Sequence, residues 1–322
     1  MDFLNPKSIL VVQIGKIGDM ILTTPLFTAL KKLFPSASLR VLASEFNKDI
    51  PLNHDAVNEV VIYKKNFLKN ILFPNPSLLN IDLWIDTKDN YSKSSAFLVK
   101  IFKPEHSLGF NFTKKIFEIS LNQYVNGTHS VDVNLSPINY IKNENKRSVI
   151  RPSFNIPVEV GEKIKKIFIP GQLNLLINIS AGNESRYLDN GKWINLINNI
   201  NRDKLFTITL IGLNRDEDRI NEIINSTGGN TSYIKTNNIL EVAEIIRRCD
   251  IVITPDTSVI HICSVFNTPV TGLYPNVTWN LDKFKPLSDQ NEIIISKDKE
   301  SISDIQADEV LESFKRLAEK IK

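Results

Sequence analysis

The chain has 322 residues, 42% of them hydrophobic and 23% charged, with a formal net charge of +3. That balance excludes a disordered or collagen-like chain, and no apolar run approaches the roughly 20 residues that span a bilayer. Two cysteines, Cys249 and Cys263, build neither a disulfide framework nor a thiolate zinc site, so a reducing cytoplasm is expected. The apolar run at 9–12 is too short for a signal peptide and has no small-residue cleavage site after it. At roughly 150 residues per domain the length suggests two domains. Charge is uneven: residues 1–170 carry +7 and residues 171–322 carry −4, which suits an anionic partner or surface for the first half.

In chain order, residues 8–14 form a nearly unbroken apolar run with β-branched side chains, the mark of a buried parallel strand. Gly15 to Asp19 turns the chain, and residues 20–34 carry apolar positions at helical spacing, closed by Pro35. With a strand at 38–43 this makes a βαβ unit. Strands are expected at 57–63 and 81–85, and a helix at 97–102. Pro137, Pro152, Pro157 and Pro170 interrupt the pattern, and a domain junction is expected near 169–171. Strands at 174–179, 206–211, 232–235, 251–254 and 269–274 then alternate with helices at 192–201, 216–225, 239–248 and 258–266. A closing amphipathic helix runs over 307–321. Such alternation argues for parallel sheets with helices on both faces. The expected domains are 1–170 and 171–305, with 306–322 returning as a helix toward the first domain.

Three clusters sit where strands end. In the first, Gly15, Lys16, Gly18 and Asp19 follow Gln13 at the carboxyl edge of the first strand, where open α/β folds bind ligands. There is no dinucleotide fingerprint and no P-loop, and Asp19 suits either a helix cap or an exposed acid. In the second, Asp256 or Thr257 suits a helix cap, Thr257 and Ser258 open a helix with hydroxyls and backbone N–H groups, an anion site, and His261, one turn on, suits either a phosphate or hydroxyl contact or the core. The third has Ser180, Ala181 and Gly182 at a strand end, then Arg186 and Lys192, the lysine suited either to a diphosphate or to an exposed helix start. A stretch from Lys88 to Lys115 interleaves six lysines with Tyr91, Phe97, Phe102, Phe110 and Phe112. It suits an anionic lipid surface or, equally, a solvated helical face. No nucleic-acid module accompanies it. The four histidines are scattered, so no histidine metal site is expected.

Taken together, residues 9–25, 178–193 and 249–274 resemble the motifs of glycosyltransferase family 9, the bacterial lipopolysaccharide heptosyltransferases. The resemblance implies a GT-B fold, α/β with two Rossmann-like domains whose parallel sheets face across a cleft. It implies inverting transfer of a sugar, usually heptose from ADP-L-glycero-D-manno-heptose, with no metal and no cofactor beyond that donor. The acceptor is a lipid-linked core oligosaccharide, and the enzyme works at the cytoplasmic face of the inner membrane. Asp19 falls at the general base and Lys192 at the group that neutralises the leaving diphosphate. Ser180, Ala181, Gly182, Arg186, Gly212, Asp256, Thr257, Ser258 and His261 fall in the nucleotide-sugar segments. Gln13, Gly15, Lys16 and Gly18 fall on the acceptor side. The chain departs from the family at Gln13, where arginine is common, at Ser258, where glycine is common, and at Leu213, which breaks a frequent glycine pair. A GT-B-shaped nucleotide-sugar epimerase, or a non-catalytic sugar-nucleotide or lipid-binding protein, fits the same clusters.

Overall fold

The computed structural model describes residues 5–64, 75–112, 114–144, 150–228 and 230–321, which fall into two compact units, 1–155 and 156–322. The first is built on β1 (Ser8–Gln13), α1 (Ile17–Leu33), β2 (Ser38–Ala43), α2 (Asp49–Leu52), β3 (Glu59–Ile62), β4 (Leu83–Asp86), α3 (Lys93–Phe102), β5 (His106–Gly109), β6 (Ile119–Ser120), α4 (Ser130–Asn134) and α5 (Ser136–Lys142). Its strands are all parallel, in the order β3-β2-β1-β4-β5-β6. β1 is buried on both faces. Leu10 and Val12 pack on one side with Trp84 of β4 and with Leu98 and Phe102 of α3.

The second unit holds α6 (Val158–Lys165), β7 (Leu173–Asn178), α7 (Asn190–Asn201), β8 (Phe206–Ile211), α8 (Glu217–Ser226), β9 (Thr231–Tyr233), α9 (Ile239–Arg248), β10 (Ile251–Pro255), α10 (Ser258–Phe266), β11 (Val270–Tyr274), α11 (Thr278–Phe284), β12 (Asn291–Ile295) and α12 (Ala307–Ile321). The sheet order is β12-β11-β10-β7-β8-β9, again all parallel. Both sheets therefore have the doubly wound Rossmann order, and the whole is an α/β fold of GT-B type.

The boundary at 155/156 falls earlier than the junction expected near 170. The intervening helix α6 packs on α9, where the Glu244 carboxylate, fully buried, takes both Arg247 and Arg248, and Lys163 pairs with Glu241. The closing helix α12 packs on α7, β10, β11 and β12 of its own unit. Its Phe314 meets Phe206 edge-on at 5.1 Å. Some of the elements the periodicity missed lie around prolines. Pro137 sits in the first turn of α5 and Pro157 caps α6, positions where a missing N–H costs nothing. Cys249 and Cys263 are buried thiols. No helix among the described residues is long and apolar enough to cross a membrane.

Candidate functional site

In each sheet the chain winds outward in opposite directions from two central strands, and ligands of such folds sit at the carboxyl ends of that pair. In the first sheet the pair is β1 and β4. Beyond β1 the chain makes a tight loop into α1. Gln13 is buried beneath it: its Nε2 donates to the hydroxyls of Thr87 (2.8 Å) and Thr23 (3.3 Å), and its Oε1 accepts from Gly15 N–H (3.1 Å). Gln13 thus braces the loop from inside and does not present its amide to a ligand. From the turn after β2, Asn47 Nδ2 donates to the carbonyls of Gln13 (3.0 Å) and Gly15 (3.1 Å). A side chain at Gly15 would begin 2.8 Å from Gln13 Oε1 and 3.1 Å from Asp19 Oδ2, so glycine is the residue that admits this packing.

Asp19 is the third residue of α1 and half-buried. Its Oδ2 accepts from Lys16 N–H at 3.3 Å, the return half of a capping box. Its Oδ1 makes no hydrogen bond among the described residues. Cap and available acid therefore coincide in one side chain. Lys16 is exposed and Gly18 half-buried on the same turn. At the end of β4, Asp86 is 1% exposed. Lys88 N–H donates to its Oδ1 at 2.9 Å, Oδ2 has no hydrogen-bond partner among the described residues, and burial pushes its pKa up to about 6. A cavity of about 450 Å³ lined by Lys31, His54 and Phe154 includes none of these loop residues.

In the second sheet the central pair is β7 and β10, and Asn178 ties their ends together. Its Nδ2 donates to Thr254 Oγ1 (2.9 Å), Ser180 O (3.0 Å) and Thr257 Oγ1 (3.3 Å), while its Oδ1 accepts from Ser180 N–H (3.2 Å). Thr257 is the cap of α10, taking Val259 N–H at 3.3 Å. Ser258 follows, half-buried, as the first helical residue. Asp256 does not cap. It is 4% exposed; its carboxylate forms an ion pair with Arg186 Nη1 (3.0 Å) and accepts from Asn280 Nδ2 (2.7 Å). Arg186 also donates to its carbonyl at 2.7 Å, which fixes a guanidinium beside the helix start.

Two expected ligand residues, Ser180 and Lys192, are hydrogen-bonded within the protein, and a third, His261, is buried. Ser180 Oγ donates to Asp216 (2.5 Å) and accepts from Leu213 N–H (2.9 Å). A side chain at Gly212 would strike that hydroxyl at 2.6 Å. His261 is 4% exposed, with its ring 6.0 Å from Phe284, so it is turned into the core. The Lys192 ammonium donates to the carbonyls of Ser303 (2.6 Å) and Ile305 (2.8 Å), which leaves one N–H for anything else. Ala181 is buried and Gly182 exposed, with open space where a side chain would stand.

Residues the motifs did not single out complete this edge. Arg215 donates to Ala181 O (2.8 Å) and to the Tyr187 hydroxyl (3.1 Å), and Tyr187 donates to Asp216 (2.8 Å). The one available signal was a cation three residues past the strand-ending Gly212. In the basic-aromatic stretch, Phe102 and Phe110 are core residues. Tyr91 and Phe112 remain exposed, with the Lys114 ammonium 5.9 Å from the Tyr91 ring centre. Among the described residues no group of three or more His, Cys, Asp or Glu side chains is placed to hold a metal ion.

The sequence profile described as glycosyltransferase family 9 (heptosyltransferase) matches residues 79–314, a span that begins after the Gly15–Asp19 loop. No curated protein matches the sequence. Among solved structures, a family 9 glycosyltransferase from Veillonella parvula superposes with a TM-score of 0.83 at 15% identity, covering 98% of both chains. The E. coli ADP-heptose LPS heptosyltransferase II gives 0.77 at 18% identity, over 97% of this chain and 99% of that one. The E. coli heptosyltransferase WaaC, solved with ADP, gives 0.75 at 16% identity, over 98% and 99%.

Proposed function

The chain belongs to glycosyltransferase family 9 and is a glycosyltransferase, and from that premise we propose that it moves a heptose from ADP-L-glycero-D-manno-heptose to a hydroxyl of a lipopolysaccharide core acceptor. The observation that carries the reading is the division of labour in Asp19. One carboxylate oxygen is tied to Lys16 N–H and the other has no hydrogen bond among the described residues, so the acid is both aimed and available. In this reading the acceptor O–H gives its proton to Asp19 while its oxygen forms the new bond at the anomeric carbon. The bond from that carbon to the ADP oxygen breaks with its electron pair, and the configuration inverts.

The leaving diphosphate needs positive charge. The start of α10 supplies amides, and Arg186, held by Asp256, supplies a fixed cation. Lys192 contributes its remaining N–H, and Arg215 extends the cationic edge. In this scheme no metal is needed. The acceptor is lipid-linked, and the lysines at 100, 103, 114 and 115, with exposed Tyr91 and Phe112, hold the enzyme to the anionic inner face of the bacterial inner membrane. Reversing those four charges should abolish binding to anionic vesicles. Equal binding by the variant and the wild type would remove the membrane role.

The central test is transfer from ADP-heptose to a core acceptor. Asp19→Asn keeps a cap oxygen but no base, so kcat should fall by about 10²–10⁴ while ADP still raises the melting temperature. Conversion of the donor with no acceptor present would make the protein an epimerase instead. Failure of ADP to stabilise it would remove the donor assignment.

A further inference from the structure

No large hydrophobic side chain among the described residues is more exposed than Phe46, at 83%. Its place is unusual. Phe46 lies in the turn after β2, at the carboxyl edge of the first sheet. Ser44 N–H donates to Asn47 Oδ1 (2.8 Å), and Asn47 N–H donates to Ser44 O (3.3 Å). The Glu45 carboxylate pairs with the Lys48 ammonium across the turn. The next residue, Asn47, is fully buried and is the side chain that clamps the carbonyls of Gln13 and Gly15. The ring is therefore presented by a braced turn, one residue from the clamp on the loop that leads to Asp19. A lone exposed Phe on a loose loop needs no account, but a ring carried by a braced turn beside the loop that bears the proposed base does.

We propose that Phe46 is the platform on which a pyranose ring of the acceptor oligosaccharide stacks, setting which hydroxyl lies near Asp19. The inference rests on the transferase reading above. A pyranose shows one face of C–H groups with slightly positive hydrogens, which suits the negative face of an aromatic ring. The cation within the turn itself, Lys48, is already paired with Glu45. Phe46 is thus a positioning residue for the acceptor and has no part in donor binding.

The test uses the full-length protein, ADP-heptose and a delipidated core oligosaccharide as acceptor. Phe46→Ala should raise the acceptor KM about tenfold, an effect the size of a lost ring contact, with kcat and the donor KM within twofold. Phe46→Tyr and Phe46→Trp should restore the acceptor KM. An unchanged KM in Phe46→Ala alongside wild-type turnover overturns the platform and leaves the transferase reading standing. So does a KM effect confined to lipid-linked acceptor, which would make the ring a membrane contact, or a joint fall in kcat and melting temperature, which would make it structural. A wild-type protein that transfers heptose to no core acceptor overturns the transferase reading and the platform with it.

Discussion

One nitrogen of Arg186 engages two oxygens of Asp256: it donates to the backbone carbonyl at 2.7 Å and forms an ion pair with the carboxylate Oδ2 at 3.0 Å. The pair joins the segment after β7 to the end of β10, so the cation beside α10 is held where the sheet's two central strands end. Removing the carboxylate leaves the guanidinium short of a partner and leaves Asn280 Nδ2 with no acceptor. Asp256→Ala should destabilise the protein by about 3 kcal/mol. That is the low end for a broken buried pair, because the Arg186 side chain is 30% exposed. It should also weaken ADP binding at least tenfold. Asp256→Asn, which keeps an acceptor oxygen, should lose less of both. Denaturant unfolding and ADP titration calorimetry read the two effects separately.

Asp86 should make stability depend on pH in the sense opposite to a salt-bridged acid. Burial, against the opposing pull of Lys88 N–H and Ser95, raises its folded pKa from 3.8 to about 6. Between those values the unfolded chain has lost the proton and the folded chain keeps it. Stability therefore falls as pH rises through that window, and the loss is complete above about pH 6. A rise of that size corresponds to about 3 kcal/mol. Asp86→Asn, which keeps an oxygen for Lys88 N–H, should raise the melting temperature at pH 8 and leave it nearly unchanged at pH 4. A variant less stable than wild type at pH 8 would contradict the assignment.

Lys192 should report on structure even with no ligand present. Its two hydrogen bonds fasten the start of α7 to the Ser303–Ile305 segment. Lys192→Met removes both and should cost about 1–2 kcal/mol, the range for charge-assisted bonds at a partly exposed site. In a chain of this size that is a few degrees of melting temperature. The proposed role at the diphosphate adds a second loss, in ADP affinity. A variant that melts like wild type in the absence of ADP would show that the two carbonyl contacts contribute nothing to stability.

Most of the strands and the helices beside them were legible because their signals are local, whereas the strands β5, β6 and β12 were not expected. Residues 206–211, 239–248, 258–266 and 307–321 read from sequence with the bounds they have in the structure. The strand-end clusters were legible for the same reason, since glycines and acids stand directly after apolar runs. What did not read was whatever acts from a distance. Asn47 reaches Gln13 across 34 positions, and Asn134 reaches Leu22 across 112, and no local pattern marks either asparagine. The fates of Lys192 and His261 were hidden likewise: motif position names a residue, but whether its polar atoms point outward depends on segments such as 303–305 that pack later in the chain.

The Thr24-Pro25 pair shows why a proline stands inside α1. Pro25 has no N–H, so the carbonyl four residues back, Ile21, loses its helical donor. The neighbouring hydroxyl supplies one: Thr24 Oγ1 donates to Ile21 O at 2.8 Å, and the same oxygen accepts from Ser153 N–H at 2.9 Å. Thr24 is fully buried, so the bond to Ile21 is shielded from water, while the one from Ser153 is part-buried. Thr24→Val keeps the shape and orphans both partners, which should cost about 2–3 kcal/mol. Pro25→Ala returns an N–H to Ile21 O and should make the threonine less necessary. In Thr24→Val/Pro25→Ala the loss should shrink by about 1 kcal/mol relative to Thr24→Val in the native background, the remainder belonging to Ser153. A double-mutant cycle from urea unfolding measures that coupling. Strict additivity would mean that the hydroxyl does not stand in for the missing donor.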